Sequence, residues 1–109
     1  MAGQRQLVLI KPDPNDDAGV ATVTLGKLDE VIDMLASFNT APDGSAGRAL
    51  GTRVLYGPGY MVELPSTQET ILQALVNVND EETAWPVLSR LCRDLGWKMQ
   101  DAKTGRVFG

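Results

Sequence analysis

The 109-residue chain contains no histidine. Histidine is the one side chain whose ordinary pKa straddles neutrality, so a Ser-His-Asp triad, a Cys-His pair and any His-ligated metal are excluded. Proton transfer near pH 7 would fall to carboxylates or lysines with displaced pKa values. Cysteine is nearly as scarce. The single thiol, Cys92, cannot form an intrachain disulfide, and small secreted domains more often rely on several bridges, so a reducing, cytoplasmic setting is expected. Aromatic residues make up only 6% of the chain. Basic residues are outnumbered, 10 Lys and Arg against 14 Asp and Glu, for a net charge of −4. Divided after Val54, each half has seven acidic and five basic residues, so no basic arm overrides the net figure. An acidic surface repels phosphate backbones, and no nucleic-acid partner is expected. Long apolar runs are missing too. Near the start only Leu7 to Ile10 are consecutively apolar, shorter than a signal-peptide core and far below the roughly 18 residues of a membrane span, so no membrane partner is expected.

The chain is otherwise ordinary for a globule, with 43% hydrophobic and 22% charged residues. That composition predicts a folded core, and the length predicts one domain over residues 1–109. A core of this size leaves little room for a large internal cavity, and no cofactor is expected.

Gln6 to Lys11 is a short apolar run closed by Pro12 and Pro14, which predicts a central strand buried on both faces. Asp13 to Gly19 is turn chemistry. From Thr24, a candidate N-cap, Leu25, Leu28, Val31, Ile32, Leu35 and Phe38 recur at three and four residues, the period of one helical face. Residues 39–53, rich in glycine and poor in large apolar side chains, form a long loop, mobile or functional. Arg53 to Tyr56 and Tyr60 to Leu64 then read as strands around the turn Gly57-Pro58-Gly59.

Thr70 to Asn79 is ambiguous. Ser66 with Glu69 has capping-box spacing and Ile71, Leu72, Leu75 and Val76 make a helical stripe, yet Leu72, Ala74, Val76 and Val78 alternate strictly up to the next helix. The strand reading is preferred on that alternation. Ala84, Val87, Leu88, Leu91, Cys92 and Leu95 outline a second helix ending at Gly96. Pro86 allows two starts for it: a cap at Asn79 or Asp80 with Pro86 inside the helix, or a cap at Thr83 with Pro86 in the first turn. Trp97 to Gln100, a loop to Gly105, and Arg106 to Phe108 predict a C-terminal hairpin.

Helices separating strands in this order predict an α+β two-layer sandwich of the ferredoxin-like, split β-α-β kind, an antiparallel sheet with both helices on one face. Fold does not specify function, so the chemistry must come from residues. Cys92 shares its stripe with Leu88, Leu91 and Leu95, which predicts a buried, protonated, structural thiol. Asp13, Asn15, Asp16 and Asp17 resemble the start of a calcium loop, but Ala18 stands where the turn glycine belongs and Thr24 where the bidentate carboxylate belongs, so no metal site is expected. A phosphate cradle after the first strand would want arginine and amide donors, and this loop offers carboxylates. An RNA-binding sheet wants aromatic residues on its central strands, and Gln6 to Lys11 has none.

No catalytic constellation is recognisable, which favours a non-catalytic reading. With the helices over the Leu72, Ala74, Val76 and Val78 side, the other sheet face shows Met61, Glu63, Ile71, Gln73, Leu75 and Asn77, with Lys98 and Gln100 at its margin. Either the N-terminal residues or the long loop fold over that half-apolar surface, or it suits a protein-interaction or regulatory module covered by a second copy, as a homodimer, or by a partner protein. The alternative is a small-molecule or anion-binding domain in which Gly57, Gly59, Tyr56 and Tyr60 meet Arg48 and Arg53 around the glycine turn.

Overall fold

The computed structural model describes residues 5–17, 21–41 and 51–108. The first apolar run is strand β1 (Arg5–Pro12). Leu7 and Leu9 are fully buried, whereas Val8 and Ile10 on its other side are only partly covered. The expectation of burial on both faces is therefore corrected to one face. After a turn, β2 (Thr22–Val23) folds back onto the end of β1, pairing Val23 with Lys11 and Thr22 with Pro12.

The first helix, α1 (Leu28–Ala36), begins later than a Thr24 cap predicts. Gly26 and Lys27 form β3 (Gly26–Lys27), a two-residue strand paired with β6 (Thr70–Ile71), so Thr24 precedes a strand and caps nothing helical. The Lys27 N–H donates to the Glu30 carboxylate at 2.9 Å, satisfying one donor at the helix entrance. Of the expected stripe, Leu25, Val31, Leu35 and Phe38 are buried, and Leu28 and Ile32 pack against them.

Strands β4 (Thr52–Gly57) and β5 (Tyr60–Pro65) form the expected hairpin. The stretch after it is extended, but in two pieces. β6 is separated from β7 (Ala74–Val78) by a break at Leu72 and Gln73. Alternation transmits a face assignment only along one unbroken strand. Because β6 leaves the main sheet to pair with β3, the phase slips: Ile71 is 0% exposed and Leu72 is 59% exposed. Both assignments made from strict alternation at these two positions are thus reversed.

Helix α2 (Glu81–Leu95) is capped by Asp80, whose carboxylate accepts from Thr83, and Pro86 lies within its second turn. The earlier of the two starts is the real one. Ala84, Leu88, Leu91 and Cys92 face the core, and the helix stops at Gly96. β8 (Lys98–Asp101) and β9 (Val107–Phe108) close the chain as a hairpin.

The fold is α+β. The main sheet runs β4-β5-β7-β1-β8-β9, with β2 on the end of β1, and every pairing in it is antiparallel. Its inward residues, among them Leu7, Leu55, Val62, Val76 and Met99, share one apolar cluster with the buried residues of α1 and α2. Both helices therefore cover the same face, and Trp97 is a core residue beneath them. No described helix is long and apolar enough to cross a membrane.

Candidate functional site

Three places bear on function: the glycine turn, the surroundings of Arg5, and the sheet face away from the helices. At the turn, the Gly59 carbonyl accepts from the backbone N–H groups of Asn79 at 2.9 Å and Asp80 at 3.0 Å. The turn is thus docked on the entrance to α2. Tyr60 is 2% exposed, and its hydroxyl bonds the buried Thr40 hydroxyl, which in turn donates to the Phe38 carbonyl at 3.1 Å. Burial pushes the Tyr60 phenol up from its ordinary pKa. Tyr56 is exposed on the opposite face of the hairpin, because it pairs with Met61 while Gly57 pairs with Tyr60. Arg53 pairs with Leu64 and so starts from the helix-facing side. Arg48 lies outside the described residues. Among the described residues, then, the anion-binding set is dispersed. Tyr60 serves the core, Gly57 and Gly59 serve the turn, and Tyr56 and Arg53 diverge.

Arg5 carries a cluster that no local pattern announces. Its guanidinium donates from Nη1 to Glu81 at 2.9 Å and from Nε to Asp101 at 3.2 Å, tying β1 to α2 and to the C-terminal hairpin. It lies 5.7 Å from the Trp85 ring centre and 5.3 Å from that of Phe108, and those rings stack at 5.4 Å. Such contacts add modestly to an ion pair at a surface. Open depressions flank it, one of about 500 Å³ lined by Arg5, Gln6, Asp101, Ala102 and Lys103, the other of about 300 Å³ lined by Arg5, Glu81, Glu82 and Trp85. Both present mixed charge.

Within this cluster the backbone N–H groups of Thr104 and Lys103, followed by Arg5, hold the Asp101 carboxyl below the usual carboxylate range. A lowered folded pKa contributes stability that is present above the unfolded value of about 3.9 and lost as pH falls through the folded one. Asp101→Asn is therefore expected to be less stable than the parent at pH 7 and to lose less on acidification. Urea midpoints at neutral and acid pH measure this, and equal acid sensitivity in both proteins would contradict it.

The outer sheet face is built from all six strands of the main path. Directly opposed residues on neighbouring strands share a face, so the register sets Val54, Glu63, Leu75, Val8, Gln100 and Val107 in one row across the sheet. A second row holds Tyr56, Met61, Asn77 and Gln6, and Ile10 and Lys98 continue the face in the other direction. None of these residues is buried. The Gln6 amide donates to Asn77 at 3.0 Å and the Asn77 amide donates to Glu63 Oε2 at 2.7 Å. Met61, Glu63, Leu75 and Asn77 are brought together as expected. Gln73 sits in the break before β7, and Ile71 is a core residue that must be struck from this face. Sequence reasoning missed Val8, Val54, Tyr56 and Val107. The alternation in Gln6 to Ile10 is masked because Val8 and Ile10 are as apolar as their buried neighbours.

The remaining candidates are structural. Cys92 is buried, and burial pushes its thiol up to about 11, far from a reactive thiolate. Asp13 and Asp16 accept backbone N–H bonds, from Asn15 at 2.9 Å and from Ala21 at 2.6 Å, as turn residues do. No group of three or more potential metal ligands occurs among the described residues. Comparison with protein-family models, with curated proteins and with solved structures returned no match to the chain.

Proposed function

We propose that the chain is a single-domain, non-catalytic interaction module that binds a protein partner through its outer sheet face. The observation that carries this reading is the row Val54, Glu63, Leu75, Val8, Gln100 and Val107, in which three aliphatic side chains are only half-buried and a fourth, Val107, is exposed. Apolar side chains left incompletely covered on one sheet face, interleaved with polar ones, suit an association site. A ferredoxin-like reading is supported by the nesting of β5-β7-β1-β8: α1 lies in the connection from β1 to β5, α2 in that from β7 to β8, and β4 is then an added edge. The buried, unreactive Cys92 suits a reducing cytoplasmic setting.

A photo-crosslinking residue in place of Met61, on the outer face, is expected to yield protein adducts in cells. The same residue in place of Asp29, exposed on α1, is expected to yield few. Equal yields at the two positions, or none at Met61, would remove the reading.

A further inference from the structure

We infer that a second copy of this chain covers the outer sheet face, related to the first by a twofold axis lying along the strands between β7 and β1. This rests on the reading of that face as an interaction surface. Its support is the order of side chains in the middle row. From β4 to β9 that row reads Val54, Glu63, Leu75, Val8, Gln100, Val107, which is apolar, polar, apolar, apolar, polar, apolar. The pattern is its own mirror image about the β7–β1 line.

An isologous interface must be self-complementary. Rotation about the stated axis lays β4 of one copy over β9 of the other, β5 over β8, and β7 over β1. Val54 then meets the second copy's Val107, Leu75 meets its Val8, and the Glu63 carboxylate meets its Gln100 amide. Asn77 donates to Glu63 Oε2, which orients that carboxylate. Lys98 precedes Gln100 on the same side of β8, about 7 Å further along the strand. The second copy's Lys98 is thereby brought towards Glu63, an opposite-charge pair formed twice per dimer. In the adjacent row, Gln6 faces the second copy's Asn77, amide to amide. A twofold axis running across the strands would instead set Glu63 against its own counterpart, and like charges opposed across an interface disfavour that arrangement.

The size is adequate for a reversible dimer. Six strands about 4.8 Å apart and about five residues long span roughly 500 Å² per copy, so the pair buries on the order of 1,000 Å², the lower end for a specific interface.

Sedimentation of the full chain across micromolar to submillimolar concentration tests the inference, with a concentration-dependent dimer expected. Glu63→Lys and Lys98→Glu should each weaken it roughly 10- to 100-fold by opposing like charges twice. An equimolar mixture of the two variants should recover parental affinity as a heterodimer, because each then supplies the charge the other has lost. Leu75→Lys, beside the axis, should leave only monomer. If that variant misfolds, the charge-swap mixture still decides. A monomer at every concentration overturns the inference, and so does a dimer indifferent to the charge swaps. Should the chain stay monomeric while Met61 crosslinks to a different protein, the interaction module stands and the second copy is rejected as its occupant.

Discussion

Truncating Tyr60 to alanine is expected to cost about 3–5 kcal/mol of folding free energy, enough to consume much of the stability of a domain this size. The ring is buried in the main cluster. It also lies across the backbone of its cross-strand partner: a Cβ added to Gly57 would come within 2.5 Å of the Tyr60 ring and 2.8 Å of the Thr40 hydroxyl. Truncation therefore leaves a cavity bounded by glycine on one side, which offers no side chain to fill it. The hydroxyl contributes separately, since Tyr60→Phe removes its bond to Thr40 while keeping the ring. That variant should cost about 1 kcal/mol, typical of one buried hydrogen bond. Thr40→Val should cost more, because it also removes the bond to the Phe38 carbonyl, and the double variant should cost less than the sum, because the two hydroxyls share one interaction. Urea unfolding followed by circular dichroism measures all four proteins. A loss below 1 kcal/mol for Tyr60→Ala would mean that the ring is not the wedge described.

Gly59→Ala is expected to cost about 2–4 kcal/mol, combining left-handed backbone strain with a steric clash. Gly59 has φ of +76°, and a Cβ there would lie 2.6 Å from the Asp80 carbonyl oxygen and 3.1 Å from the Ala84 nitrogen. Both are backbone atoms at the first turn of α2, held by hydrogen bonds, so relief would require the hairpin to lift off the helix and forfeit the two bonds to the Gly59 carbonyl. Gly105→Ala isolates the backbone component. Its φ is +78°, but nothing lies within 4 Å of an added Cβ, so about 1 kcal/mol is expected. Equal effects at the two positions would show that the hairpin and α2 are not in close contact.

The same turn shows what its glycines do within the fold. Glycine and proline at 57–59 did mark a hairpin, as local backbone preferences allow. Glycine there permits close approach by the protein's own atoms, a Tyr60 ring at Gly57 and a helix entrance at Gly59. Composition alone cannot distinguish this from approach by a ligand, since both need the missing Cβ.

The outer sheet face was partly legible. Met61 and Glu63 on β5, and Leu75 and Asn77 on β7, belong to continuous strands with clear alternation, and their shared face followed from period two. Ile71 was misplaced because the periodicity ran through a break where the chain changes sheets. The Arg5 cluster was invisible, since Arg5, Glu81, Trp85, Asp101 and Phe108 are scattered along the chain and meet only when β1 lies beside β8.

Residue order alone was enough to determine the absence of histidine chemistry, the apolar stripes of α1 and α2, the end of α2 at Gly96, and both hairpins. Each of these depends on side-chain type or on spacings within a few residues, where backbone geometry is local. Pairing in three dimensions decided that β1 is covered on one side only, that Ile71 turns inward, that Tyr60 leaves the surface, and that six strands align a symmetric row of side chains. Those outcomes turn on which strand lies beside which, and that choice is made by burying the helices' apolar faces against one side of the sheet, a long-range competition with no signature in any short window.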